Sequence, residues 1–402
     1  MDSKKRLVLV DALRGWALFM IVLIHFVEKF NFYIPPEVNW LFSPETDRAV
    51  FEYTFLLISG KAYSIFALLF GLSFFIQLNN QESRGVDFRK RFLWRLFVLM
   101  VLGLVHSLVY DGDILSMYAI MGFPLVALYK VHNRYLIALA VLLIIQTPLL
   151  AEFGKALLDP DYVRVKAFGT GYWQEGKKAF AEGSFWDVIS FNFWKGRMQC
   201  WSWTYYTGRF FQLFGLFLIG LVLGRKGFFN NIKKYKKALT VTLVVSLIMV
   251  GVFYTLEKMT GSFGFSKGQH RLFSLVVDSY GDFSFIVLIV TIFSLAYIKT
   301  PSARFFTALG TYGKMSLTNY VTQGFLGPFF FYGFGLGMWR YFGATWCLML
   351  GFLFFGLQLY FSHRWCQKFH YGPIEWLWRA LTYMDFSIPN KKKVVEKEVL
   401  EV

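Results

Sequence analysis

A few side chains capable of acid-base chemistry stand inside the most apolar stretches of this 402-residue chain. The first apolar run carries Asp11, Arg14 and His25, with Glu28 just beyond it. An ionisable residue inside a membrane-spanning helix costs at least about 2.5–3.5 kcal/mol on insertion scales, so each one needs a partner or a task. At about 100° per residue, the eleven steps from Arg14 to His25 end within roughly 20° of the starting direction and about 16 Å further along the axis. Asp11 and Glu28 stand three residues off at either end and extend the stripe. Such a stripe would line a path through a membrane. The plainer reading lets Asp11 and Arg14 neutralise each other at one interface while His25 reaches toward the other.

Other apolar segments add to the set. His106 ends one run and is followed by Asp111 and Asp113 in the turn Tyr110-Asp111-Gly112-Asp113, and Lys61 interrupts another run. Histidine changes charge near neutral pH, so His25 and His106 are candidate catalytic residues together with Asp113, the alternative for His106 being a satisfied histidine at a helix end. Lys61 either has a functional role or snorkels to an interface. Asn319 and Gln323, four residues apart within LTNYVTQ, share a helical face and either hydrogen-bond a neighbouring helix or contact a substrate. His363, Cys366 and His370 are spaced to share a face, but the surrounding Arg364 and Lys368 argue against a metal there, and no metal is expected. No phosphate-binding loop, nucleophile elbow or dinucleotide fingerprint is present, which argues against an ATP-driven pump or a soluble-type hydrolase.

The elements that carry these residues follow from composition. Hydrophobic residues make up 56% of the chain and charged residues 17%, which is wrong for a soluble protein. The net charge of +17 does not form a nucleic-acid-binding face, because Lys and Arg sit in short clusters between long apolar runs. A helix needs about 20 mostly apolar residues to cross the hydrocarbon core. Ten segments approach that length: 8–28, 55–78, 93–110, 112–130, 134–151, 207–224, 238–256, 282–298, 315–335 and 341–363. The chain is therefore expected to be an all-α integral membrane protein of about ten spans. With the N-terminus inside, the inner segments hold 26 Lys/Arg against 8 Asp/Glu and the outer ones 14 against 16. The contrast is largest in the short loops Arg84 to Arg95 and Arg225 to Lys237, so both termini are expected in the cytoplasm.

The membrane domain covers 1–388 and a charged tail 389–402. The long outer loop, about 152–206, is rich in aromatic residues and is either an interfacial amphipathic segment or a lid. By this topology His25, Lys61, His106 and Asp113 lie at similar depth toward the outside. Lys4, Lys5 and Arg6 precede the first run, but Asp11 and Arg14 interrupt it and no cleavage site follows, so it reads as a retained helix. Cys200, Cys347 and Cys366 imply no disulfide framework.

Five motifs carry a family resemblance. LVDALRGWALFMIVLIH (9–25), FALLFGLS (66–73), GLVHSLVYDGDILSMYAIMG (103–122), GKMSLTNYVTQ (313–323) and YGPIEWLWRALTY (371–383) resemble, in order and across nearly the whole chain, the YeiB-like family of bacterial membrane proteins. That family is distantly similar to transmembrane acyltransferases, including the acyltransferase-3 enzymes and heparan-α-glucosaminide N-acetyltransferase. The acyltransferase-3 pattern is an Arg, ten residues, then a His on the first helix, which Arg14 and His25 match; many YeiB-like relatives carry Asn at the His position.

The resemblance implies a transmembrane acyltransferase-like bundle in the bacterial cytoplasmic membrane. It implies acyl-CoA, such as acetyl-CoA, as donor, with its phosphates near Arg14 and Asp11. The acceptor would lie on the outer side, as an envelope glycan, a lipid-linked molecule or a small molecule. His25 would act as base or acyl carrier, His106 and Asp113 would orient or assist, Lys61 would stabilise the tetrahedral oxyanion, and Lys61, Glu28, Asp111, Asn319 and Gln323 would lie toward the acceptor. The rival expectation is a transporter or flippase using the same residues, with helices broken at Gly112 and Pro328. Membrane lipid is the expected surrounding partner, nucleic acid is not expected, and homo-oligomerisation stays open.

Overall fold

The structure, a computed structural model, describes residues 7–392 except 31, 33–35, 38–40, 160, 166–168 and 170. Lys4, Lys5, Arg6 and the tail from 393 onward lie outside the described residues. The first helix, α1 (Val8–Ile24), continues into a π-helical turn over His25–Lys29. It is followed by α2 (Pro44–Ile58), α3 (Lys61–Glu82), α4 (Arg89–His106), α5 (Leu115–Ala127), α6 (Asn133–Ile144) and α7 (Thr147–Leu158). Three short helices come next, α8 (Trp173–Glu182), α9 (Phe185–Phe191) and α10 (Arg197–Tyr206). The remainder is α11 (Arg209–Arg225), α12 (Lys236–Met259), α13 (Lys267–Lys299), α14 (Arg304–Lys314), α15 (Ser316–Phe331), α16 (Ala344–Lys368) and α17 (Pro373–Tyr383).

The described residues are thus helical with no strand, and five helical stretches are long and apolar enough to cross a membrane. Two bent pairs, α6 with α7 (43°) and the α9–α10 stretch with α11 (73°), raise the number to seven. This is a multi-pass membrane protein by length and composition. The segment expected to span at 112–130 is a shorter helix, because the thirteen residues of α5 rise only about 20 Å. The span expected at 55–78 is divided at Ser59 and Gly60, which puts Lys61 at the first position of α3. Pro328 lies inside α15 and does not break it, whereas the turn around Gly112 does separate α4 from α5.

Burial ranks the helices. The apolar window of α1 and its π turn is 78% buried and that of α12 only 11%, so α1 is the central strut and α12 presents its flank to lipid. Segment 299–314, expected as an inner loop, instead contains α14, packed along the first half of α1. Its buried residues Phe306, Leu309, Gly310 and Gly313 recur at one-turn spacing. A Cβ at Gly15 would stand 2.1 Å from the Leu309 carbonyl oxygen, and one at Gly313 would stand 2.0 Å from that of Asp11. Only glycine lets these two backbones meet. At the end of the bundle where α4 begins, α17 lies across it: Trp378 Nε1 donates to the Arg95 carbonyl (3.0 Å) and Trp94 Nε1 to that of Leu381 (3.0 Å). Glu375 of α17 caps the start of α15, accepting from the Leu317 and Thr318 amides (2.7 and 3.1 Å) and the Thr318 hydroxyl (2.5 Å).

Candidate functional site

His106 and Asp113 meet across the break between α4 and α5. Glycine makes this possible, since a Cβ at Gly103 would stand 2.4 Å from the Ser116 amide and 2.9 Å from Asp113 Oδ2. His106 Nδ1 lies 3.0 Å from Asp113 Oδ1, and Asp113 Oδ2 accepts from the Ser116 amide (3.0 Å) and hydroxyl (2.9 Å). Both members are buried, at 1% and 2% exposure. A carboxylate held in this way accepts the Nδ1 proton of a neutral imidazole and so leaves Nε2 as the basic atom. That Nε2 is buried, has no hydrogen-bond partner among the described residues and is aimed at Gly324 of α15, where a Cβ would stand 1.9 Å away.

His25 joins this dyad through two tyrosines. Its ring centroid lies 4.9 Å from Tyr110 and 6.1 Å from Tyr320, and His106 lies 5.7 and 5.2 Å from the same rings. The Tyr320 hydroxyl is anchored, accepting from the Ile114 amide (3.2 Å) and reaching the Gly112 carbonyl (3.4 Å). Among the described residues, His25 Nδ1, the Tyr110 and Tyr332 hydroxyls and both amide atoms of Gln323 are buried with no hydrogen-bond partner. Each orphaned buried polar group costs about 1–3 kcal/mol. Several of them around two imidazoles mark a place built to receive polar atoms. His25 also opens the π turn, closed by the Phe30 amide on the His25 carbonyl (3.0 Å), and such turns recur at functional sites.

The other candidates divide. Arg14 is paired with Asp11 (2.8 Å) and donates to the Ser73 hydroxyl (2.5 Å), which is the plainer of the two expectations for that pair. On the face between Arg14 and His25, Leu18 and Ile21 are buried in the main core, so the expected polar path is interrupted by packed side chains. Glu28 lies beside Lys29 (4.0 Å), and the π turn moves it off the α-helical stripe. Lys61 neither snorkels nor stands free for an oxyanion: it is buried and bonded to Asp282 (2.7 Å), which Arg209 also approaches (3.7 Å). Asn319 packs, donating to Ser362 (2.9 Å) while its carbonyl accepts from Gln358 (2.9 Å). Asp111 lines a small cleft together with Lys29, Trp173, Lys177 and Gln199. His363 stands 3.1 Å from Gln367.

The aromatic segment after residue 171 is helical and forms a roof. Phe180 stacks on Tyr332 (4.9 Å), the Gly333 amide donates to the Phe180 carbonyl (2.8 Å) and Asn192 to that of Leu108 (3.2 Å). Arg197 grips Ser107 (3.0 Å) beside the dyad. These bonds fix the segment to the end of the bundle that holds His25.

Residues 223–385 match a family model described as a protein of unknown function, DUF418. Over almost the whole chain there is similarity to the uncharacterized protein YxaH of Bacillus subtilis (strain 168), 24% identical with 98% of each chain covered. An uncharacterized 39.9 kDa protein in the amylase 3' region of Bacillus acidopullulyticus is 23% identical with 97% of each covered. The uncharacterized protein YeiB of Escherichia coli (strain K12) is 27% identical, covering 94% of this chain and 96% of that one. The chain is YeiB-like. The segment that matches the family model supplies only one wall of this site, with Tyr320 and Gly324, while His25, His106, Asp113 and Tyr110 come from the first third of the chain. Tyr110, Ser116, Tyr320 and Gly324 were not singled out as site residues by sequence reasoning. The run Asp113-Ile114-Leu115-Ser116, an acidic residue three before a serine at a helix start, was the available signal.

Proposed function

We propose that this protein is an acyltransferase whose chemistry takes place at the His106–Asp113 dyad, beneath the aromatic roof. The observation that carries the reading is the basic Nε2 of a carboxylate-held histidine, buried without a partner beside a second imidazole and further orphaned polar atoms. In this reading the chain crosses the bacterial cytoplasmic membrane about ten times with both termini inside. The donor is an acyl-CoA such as acetyl-CoA from the cytoplasm, and the acceptor is a hydroxyl or amine of an envelope glycan, a lipid-linked molecule or a small molecule on the outer side.

The acceptor's proton passes to His106 Nε2 as its oxygen or nitrogen attacks the thioester carbonyl, and the carbon–sulfur bond breaks to release the CoA thiolate. Asp113 supports the imidazolium that forms, and Tyr110, Gln323 and His25 are the polar atoms available to hold the acceptor and the developing oxyanion. Two features define what must move. Nε2 is closed against Gly324, so α15 must shift to admit the acceptor, and Leu18 and Ile21 must part for a donor arm to reach His25 from the Arg14 end. Arg14 is already committed to Asp11 and Ser73, so a donor phosphate there competes with a carboxylate.

Release of free CoA from acetyl-CoA by the purified protein in lipid nanodiscs tests the reading. Wild type should release CoA, and both His106→Gln and Asp113→Asn should lower the rate by at least about 10²-fold while remaining folded. Absence of CoA release, together with His25-dependent solute uptake in proteoliposomes, would replace acyl transfer by transport.

A further inference from the structure

Where α17 crosses the start of α4, three arginines gather around an aromatic surface. The Arg95 guanidinium stacks on Trp378, 3.5 Å from the ring centroid. Arg91 and Arg379 stand 5.8 and 5.1 Å from the Tyr383 centroid, and Arg379 also faces Tyr371 at 5.2 Å. Their hydrogen bonds are few and neutral: Arg91 donates to the Thr382 carbonyl (3.2 Å), and Arg95 reaches the Thr382 hydroxyl at 3.5 Å. The Nε atoms of both Arg95 and Arg379 are buried with no hydrogen-bond partner among the described residues.

The carboxylates close by in sequence are engaged elsewhere. Asp87 holds Arg89, Glu82 accepts from Tyr129, Glu375 caps α15, and Asp385 accepts from Ser387. Among the described residues none of the three arginines has a carboxylate within ion-pairing distance. Snorkelling would carry such groups into water. Here the Trp378 face holds Arg95 at 3.5 Å while the Tyr371 and Tyr383 rings stand 5.1–5.8 Å from Arg379 and Arg91, so like charges are assembled beside aromatic rings. A guanidinium offers five donors in a rigid fork that matches the oxygens of a phosphate.

We propose that Arg91, Arg95 and Arg379 bind a phosphate-bearing group, belonging either to an anionic lipid headgroup or to a soluble phosphorylated molecule. The site lies on α4 and α17 and stands whether or not His106 performs acyl transfer. Thermal unfolding of the full chain in phosphatidylcholine nanodiscs tests it. Sodium pyrophosphate is compared with sodium chloride at matched ionic strength, and phosphatidylglycerol nanodiscs are compared with phosphatidylcholine ones.

A Tm raised by pyrophosphate identifies a soluble phosphate as ligand, and one raised only by phosphatidylglycerol identifies a lipid headgroup. In either case the Arg95→Gln/Arg379→Gln protein should bind roughly tenfold or more weakly. The control Arg48→Gln, at an exposed pair with Glu52, should respond as wild type. Should the Gln pair not fold, Arg95→Lys/Arg379→Lys keeps both charges, loses the planar forks and should show weakening in the same direction. Equal responses to pyrophosphate and chloride with no effect of phosphatidylglycerol, or an undiminished response in the folded double variant, would overturn the site.

Discussion

At the residue scale, His106 is fixed from two sides, by the Asp113 carboxylate at Nδ1 and by the bare Cα of Gly324 facing Nε2. Gly324→Ala inserts a methyl group where Nε2 now stands, so the imidazole must tilt away from Asp113. Because a misplacement of about 1 Å can cost on the order of 10²-fold, CoA release should fall to that extent while helical content is retained. An unchanged rate would remove His106 from the mechanism. Lys61 belongs to a different account. With Asp282 and Arg209 it is a buried charge network, and Lys61→Met should cost about 3 kcal/mol by leaving a buried carboxylate with one distant partner. Adding Asp282→Leu should restore much of that loss in a thermal melt, which a substrate-binding role for Lys61 would not predict. The first helix advertised both its charges and its histidine, but which of them had partners depended on side chains 59 residues away (Ser73) or on a distant helix.

At the element scale, the pairing of α1 with α14 depends on glycine at the contact. Gly313→Leu should separate them and lower Tm, whereas the same change at Gly251, where nothing lies within 4 Å of a Cβ, should be nearly silent. Comparable Tm shifts at the two positions would refute the close-contact account. Glu375→Ala strips the acceptor from the first amides of α15 and should cost about 1–3 kcal/mol in a denaturation experiment, with the start of α15 losing amide-exchange protection first. The one-turn periodicity of α14 was present in the sequence. An eleven-residue helix bounded by Arg304 and Lys314 falls short of the about 20 apolar residues a span requires, so that periodicity predicts no span there. The π turn left no such trace, since one extra residue per turn changes hydrogen bonding and not composition.

At the scale of the whole molecule, the orientation argument makes a separate claim. Single cysteines introduced at Ser83 and Asn230, on a background without Cys200, Cys347 and Cys366, should react with an impermeant maleimide only after the membrane is opened. One at Trp186, an exposed residue of the roof, should react in intact cells. Reversed labelling would invert the bundle and with it the assignment of donor and acceptor sides. The sequence alone was enough for membrane residence, helical class, the motif order shared with YeiB-like proteins and the short list from which the site is drawn, because these depend on apolar run length and residue type. Only the tertiary structure decided that His106, Asp113 and His25 converge around Tyr110 and Tyr320 while Arg14, Lys61 and Asn319 are spent on partners. Convergence depends on which backbones can touch, and in this chain bare Cα atoms on α1, α4, α14 and α15 settle that across hundreds of residues.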